Sequence, residues 1–407
     1  MIPFNGSKMD NNFTILQNST DEKGTRLWNR TFGGPDSDVA YDIVSVGSGG
    51  FAITGILNNP GAAPVGDCFL MRLDSEGNQL WNQTYDASIS GESLIETNDG
   101  GFAIAGYRGW LIRTDVNGNL LWNKTYQGED TQLYLMSVIE NRAGGFALVG
   151  YLSGQGYDLV LILTDSSGNL LSKMVYSGPS DDDTGGWGHD RGIEIIEHSN
   201  GGYVIAGSLD GTFALIRVDA IGNLLWRKSY QQYGSGEATS LTEADNSEII
   251  VAGTIDDEVK VIHTDSSGNI LWNETYGLAI SGASIVRLPG RRIAISANRY
   301  QVSQCPWFAI IAANGTLLWE RYYDSLVSRR TVYSLVTFGI DDFALIGSIE
   351  SNGDSELNSQ VWIMAISENL EPTEFMPLGI FSSIAIGIVA LVIITYELIR
   401  RRRTEDF

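Results

Sequence analysis

The sequence predicts an all-β fold: a seven-bladed β-propeller of four-stranded blades closed by an N-terminal outer strand, plus one C-terminal transmembrane α-helix. Three observations carry this: a strand motif that recurs seven times, a tryptophan-bearing strand behind most copies, and an incomplete repeat at each end. Glycine, at 47 residues against 9 prolines, agrees with many tight turns between short strands.

The strand motif reads GGFAITG (49–55), GGFAIAG (100–106), GGFALVG (144–150) and GGYVIAG (201–207), then more loosely SEIIVAG (247–253), RRIAISA (291–297) and DDFALIG (341–347). Such apolar runs suit strands buried on both faces. The second element follows at a variable distance, as in LIRTDVNGNLLWNKTY. Its tryptophans are Trp28, Trp81, Trp122, Trp226, Trp272 and Trp319, with Ser172 in the fourth copy. The period of about 48 residues is that of a propeller blade.

Each period divides into strands A to D. A Gly-Gly turn joins A to B, and an Asp-x-x-Gly-Asn turn joins C to D. In the latter the aspartate opens a type I turn and the glycine takes the left-handed position, as at Asp74/Gly77, Asp115/Gly118, Asp165/Gly168, Asp219/Gly222 and Asp265/Gly268. A calcium loop needs about five oxygen positions and these turns offer one or two, so they read as turn chemistry.

The ends fix how the ring closes. DEKGTRLWNRTFGG (21–34) is a lone C–D turn with a D strand. The last repeat has A (TVYSLVTF), B (DDFALIGSIE) and C (QVWIMAISEN) but no D. The orphan strand fills the gap, placing the propeller at 21–367 behind a flexible segment 1–20. Closure leaves only short, protected sheet edges.

From Leu378 to Tyr396 the chain reads LGIFSSIAIGIVALVIITY, uncharged and roughly 28 Å long as a helix, close to a bilayer core. A linker (368–377), a transmembrane helix (378–399) and a short tail (400–407) follow. Arg400 to Arg403 keep the tail cytoplasmic and put the propeller outside the cell. The start, MIPFNGSKMDNNF, has no apolar signal core, so an export signal is expected upstream of it or already removed. Among the Asn-x-Ser/Thr sequons, Asn29, Asn82, Asn123, Asn273 and Asn314 are glycosylation candidates on the blades. In the LWNxT strands, Trp81, Trp122 and Trp272 should pack between blades. Asn82, Asn123 and Asn273 then face the rim.

The Asp-x-x-Gly-Asn-x-Leu-Trp element resembles the tryptophan-docking repeat of quinoprotein-type β-propellers across roughly residues 21–370. Here the Asp–Gly spacing is one residue shorter and no threonine precedes the glycine. The chain is also similar to archaeal surface proteins with Gly-Gly-Phe propeller repeats and a C-terminal anchor helix. The resemblance implies one of two roles. The enzymes of that family hold a pyrroloquinoline cofactor and calcium on the axis, and its other members use the ring as a binding platform. Seven blades and the lack of adjacent cysteines favour the platform, with no cofactor.

The sequence has no Gly-x-Ser-x-Gly, phosphate loop, His-Glu-x-x-His or Cys-x-x-Cys. Cys68 and Cys305 read as separate buried thiols, His263 as a half-buried sheet residue and His198 as a polar turn residue. The segment SGPSDDDTGGWGHDRG (177–192) breaks the repeat. Asp181, Asp182, Asp183 and Asp190 are candidate ligands for Ca2+, and Trp187 and His189 candidate ligand-binding residues. A solvated acidic loop is the plainer reading of the same residues. A net charge of −23 excludes a nucleic-acid partner.

The A–B and C–D turns are short and uniform, whereas the D–A and B–C connections vary. Function concentrates on such loops. The chain is therefore expected to be a non-catalytic extracellular module that binds a protein or glycan through its variable face, the uniform face looking at the membrane. An exported quinoprotein-like oxidoreductase or a hydrolase with an axial site is the alternative.

Overall fold

A computed structural model describes residues 24–34, 36–59, 66–87, 90–126, 132–154, 156–177, 189–300, 304–323, 328–351 and 359–368. The N-terminal segment 1–20, the predicted helix 378–399 and the tail 400–407 lie outside the described residues. Among the described residues no helix is long and apolar enough to cross a membrane.

After a first strand, β1 (Thr25–Phe32), the chain forms antiparallel meanders in chain order. The first is β2 (Ser37–Ser45), β3 (Phe51–Asn59), β4 (Asp67–Leu73) and β5 (Gln79–Ala87). The second is β6 (Gly91–Glu96), β7 (Phe102–Gly106), β8 (Trp110–Thr114) and β9 (Leu120–Thr125). The third is β10 (Gln132–Glu140), β11 (Phe146–Ser153), β12 (Tyr157–Thr164) and β13 (Leu170–Tyr176). The fourth is β14 (Arg191–Glu197), β15 (Tyr203–Leu209), β16 (Thr212–Val218) and β17 (Leu224–Ser229).

Next come β18 (Gly236–Glu243), β19 (Ile249–Ile255), β20 (Glu258–Thr264), β21 (Ile270–Arg287), β22 (Ile293–Tyr300), β23 (Gln304–Ile311) and β24 (Leu317–Tyr322). The 18-residue β21 is the last strand of one meander and the first of the next, so the two run together as a seven-stranded sheet. The final sheet joins β25 (Ser328–Thr337), β26 (Asp342–Ser351) and β27 (Ser359–Ser367) to β1, in the order β1-β27-β26-β25. The orphan strand read from the sequence therefore pairs where expected, with Thr25 opposite Ser367 and Phe32 opposite Val361.

The second strand of each meander is buried on both faces. Phe51, Phe102 and Phe146 start three of them and Phe343 is the second residue of β26, none more than 2% exposed. The cores lie between neighbouring sheets. One unites Val149, Leu159 and Leu161 with Ile195, Ile205 and Ile216. Another unites Ile53, Phe69 and Met71 with Ala344, Val361 and Ile363, sealing the first sheet against the last. The first strands β2, β6, β10, β14, β18, the second half of β21, and β25 touch one another in a closed circuit. These strands form the inner wall.

The outer strands lock each sheet onto the next. A methyl group on Gly77 would stand 2.5 Å from the Trp28 ring, and one on Gly118 or Gly168 would stand 2.7 Å from Trp81 or Trp122. The glycine is required twice over, because φ at Gly77 is +75° and at Gly118 +77°. Nearby tyrosines reach the same turns: the Tyr85 hydroxyl donates to the Gly118 carbonyl at 2.7 Å and Tyr126 to that of Gly168 at 2.8 Å. Where Ser172 replaces the tryptophan, Met174 lies against Gly222 in its stead.

Candidate functional site

One end of the inner wall carries the variable loops and the other the uniform turns. On the loop end, a line of aromatic side chains crosses three sheets. Tyr107 follows β7, Tyr134 is the third residue of β10, Tyr151 lies toward the end of β11, Tyr157 opens β12, and His189 precedes β14. The register sets them side by side, with Tyr134 directly opposite Tyr151 and Tyr107 bridging to Tyr134. Ring centres are 5.0 Å apart for Tyr107–Tyr134, 4.7 Å for the stacked Tyr134–Tyr151 pair, 5.1 Å for Tyr151–Tyr157 and 5.7 Å for Tyr157–His189.

Charge enters the line at Tyr151 and Tyr157. The Arg191 guanidinium sits 4.5 Å from the centre of the Tyr157 ring and 5.1 Å from that of Tyr151, within cation–π range. Its Nη1 is 3.9 Å from the Glu237 carboxylate on β18, which also accepts from the Ser208 hydroxyl at 3.4 Å. Burial raises the Glu237 pKa, opposed by Arg191 and Ser208. Glu92 on β6 is raised by burial too, and the Ser90 hydroxyl counters that. The negative charge of Glu92 adds to the raised pKa of the Tyr41, Tyr151 and Tyr333 phenols, which lie on three different sheets. Burial pushes Tyr151 up to about 12. This phenol stays protonated at neutral pH, available as a hydrogen-bond donor.

A second polar feature girds the inner wall. Each first strand carries a one-residue bulge, and side chains beside it accept a backbone N–H from the next sheet. Asp42 accepts from Leu94, Ser93 from Val138, Ser137 from Ile195, Glu194 from Leu241 and Ser240 from Ile285. The Ser334 hydroxyl donates to Asp42 at 2.9 Å, linking the last sheet to the first. Two members of this serine belt are therefore acids. Burial is the main cause raising Asp42 to about 6 and Glu194 to about 7.

Of the residues singled out in the 177–192 segment, His189 joins the aromatic line. The Asp190 carboxylate instead accepts the Asp210 N–H at 2.6 Å, and Asp190 itself is fully buried. Asp181, Asp182, Asp183 and Trp187 lie outside the described residues. Among the described residues, no group of three or more acidic, histidine or cysteine side chains is placed to hold a metal ion. Cys68 and Cys305 are separate buried thiols that form no disulfide, as read. His198 is a polar turn residue, as read: its Nδ1 accepts the Asn200 N–H at 3.2 Å, and the side chain is buried, with Nε2 3.2 Å from the Ser247 carbonyl on the neighbouring turn. Of the sequon asparagines, Asn123 and Asn314 are exposed, and Asn29, Asn82 and Asn273 are half-buried.

Sequence reasoning missed the tyrosines, Arg191, Glu92 and Glu237. One signal was present. In copies two and three of the strand motif, tyrosine follows the closing glycine, as AGY (105–107) and VGY (149–151), where other copies have Ile56, Ser208, Thr254 or Ser348.

No protein family and no curated protein matches the sequence. Solved structures do resemble the fold. Raptor from Chaetomium thermophilum aligns at TM-score 0.57 and 8% identity, over 85% of this chain and 29% of that one. A protein of unknown function from Dyadobacter fermentans aligns at 0.54 and 12%, over 84% and 98%. BamB from Moraxella catarrhalis aligns at 0.44 and 12%, over 83% and 99%. With the sheet pattern, the first two likenesses support one statement about architecture. The fold is a β-propeller.

Proposed function

We propose that this chain is a membrane-anchored extracellular propeller of seven blades that binds a protein or a glycan through its variable loop face, without catalysis. The observation that carries the reading is the line from Tyr107 to His189, flanked by Arg191 and Glu237. Stacked phenol rings offer flat apolar area at low cost in side-chain entropy, and their hydroxyls add polar contacts at the rim of the same surface. The cation and the two acids, Glu92 and Glu237, add directional polar contacts to that surface. The blade count is supported by the pairing of β1 with β27 and by the closed circuit of inner strands. The anchor is supported by the uncharged run 378–396 and the arginines that follow it.

The test is a glycan array and a panel of extracellular-domain proteins probed with the full chain in detergent, beside Tyr151→Ala and Arg191→Ala. The expected result is a binder whose affinity falls at least tenfold in both variants while their melting curves stay near wild type. Binding that survives both substitutions, or turnover of the bound compound, would overturn the reading.

A further inference from the structure

Near the start of every outer strand stands a leucine that the sheet leaves uncovered. Pairing between the third and fourth strands of each sheet slips by one residue just ahead of the tryptophan position. The residue passed over is Leu27, Leu80, Leu121, Leu171, Leu225, Leu271 or Leu318. All are between 48% and 69% exposed. Single exposed leucines need no explanation, but the same residue at the same bulge around the whole ring does. Packing does not supply one. In the third meander the tryptophan has become Ser172, yet Leu171 stays and is the most exposed of the set. The preceding position adds exposed Leu120, Leu170, Leu224 and Leu317, and the adjoining turns add Val116 and Ile221.

This apolar crown lies at the C–D turn end of the rim. The described chain leaves the fold at that end too. β27 stops at Ser367, and the Glu368 carboxylate is clasped by Arg292 at 2.6 Å and by the Trp319 indole N–H at 3.2 Å. The uncharged run 378–396 starts after a linker that reaches at most about 35 Å. A second copy is a poorer occupant, because pairing face to face would oppose two chains of net charge −23 across turns that carry Asp74, Asp115, Asp165, Asp219 and Asp265.

We propose that the leucine crown rests in the interfacial layer of the bilayer that the C-terminal segment crosses, so that the propeller lies flat on its turn face. This rests on the anchored reading above. The test places a fluorophore at Leu121→Cys or, on the loop face, at Ser153→Cys. Cys68 and Cys305 are buried and do not compete. The full chain is reconstituted into phosphatidylcholine vesicles with brominated acyl chains. The expected result is co-flotation with the vesicles, strong quenching at position 121 and none at 153. The triple variant L80S/L171S/L271S should at least halve the quenching without changing flotation. Flotation with no quenching at 121, or with equal quenching at both sites, overturns the crown alone. Loss of flotation overturns the anchored reading and the crown with it. If the label at 121 becomes shielded in lipid-free detergent as protein concentration rises, the crown pairs with a second copy and the proposal falls.

Discussion

The Tyr323 hydroxyl donates a 3.1 Å hydrogen bond to the carbonyl of Gly24, 299 positions away. Gly24 leads into β1, and β1 completes the last sheet, so this bond fastens the preceding sheet, which ends at β24, to the strand that closes the ring. Trp319 packs on the same glycine: a methyl group there would stand 3.0 Å from its ring and 2.9 Å from the Tyr323 oxygen.

Gly24→Ala should therefore be more damaging than Gly100→Ala. Both glycines have positive φ, +70° and +82°, so both substitutions carry left-handed strain of about 1 kcal/mol. Only at Gly24 must a packed tryptophan and a buried hydroxyl also move, adding about 1–3 kcal/mol; nothing lies within 4 Å of the Gly100 position. Urea melts compare the two. Equal losses would mean that the seam adds no stability of its own.

Arg217→Met should cost about 2–3 kcal/mol, since it leaves buried carbonyls without a donor. The Arg217 guanidinium donates to the carbonyls of Tyr203 at 3.1 Å, Val218 and Gly201, strapping the A–B turn of its sheet. Arg72 and Arg113 occupy the same position in two other sheets. In the third meander Leu163 stands there instead, and Asn141 closes the turn by accepting from Ala143 and Gly145. Leu163→Met should accordingly cost under about 1.5 kcal/mol. The contrast between two methionine variants, read from thermal melts, checks the strap. Similar losses would refute it.

The ring was legible because its evidence is periodic: the glycine of each C–D turn and the tryptophan that docks on it recur at matching positions, and Trp28 without a preceding blade marks the seam. The candidate site was legible only in part. His189 stood out because its segment breaks the repeat, but Tyr134 and Tyr157 lie in ordinary strand starts and meet only through pairing register. Asp190 looked like an available metal ligand because a hydrogen bond between two separate loops, here from the Asp210 N–H, leaves no trace in spacing. The straps were equally hidden, since an arginine in a strand reads as surface charge until its carbonyl acceptors are placed.

Neither cysteine should react in the folded protein. Burial pushes Cys68 up to about 12, and both thiols are 1% exposed. A colorimetric thiol reagent should therefore find no free thiol in native buffer and two per chain in denaturant. A thiol titrating in native buffer would show that strand β4 or β23 opens.

Folding stability should fall as pH rises from 5 to 8, and the two acids in the serine belt are the cause. Burial raises Asp42 from 3.8 to about 6 and Glu194 from 4.5 to about 7. The folded state thus holds protons that the unfolded chain has already released. The stability these acids contribute is complete below about pH 4 and is lost as pH climbs through 6 to 7. The turn aspartates do not blur this window. Hydrogen bonds hold Asp74 and Asp265 below their usual values, so they stay ionised throughout it. Asp42→Asn and Glu194→Gln keep an acceptor for Leu94 and Leu241 but cannot ionise. Each should raise stability at pH 8 by about 1–2 kcal/mol, a figure reduced because both side chains are partly reached by solvent. At pH 4 each should change it little. Glu92 and Glu237, also raised by burial, leave a residual slope. Urea midpoints measured across pH 4 to 8 separate the outcomes: a double variant with the wild-type slope would move the effect from the belt to Glu92 and Glu237 on the loop face.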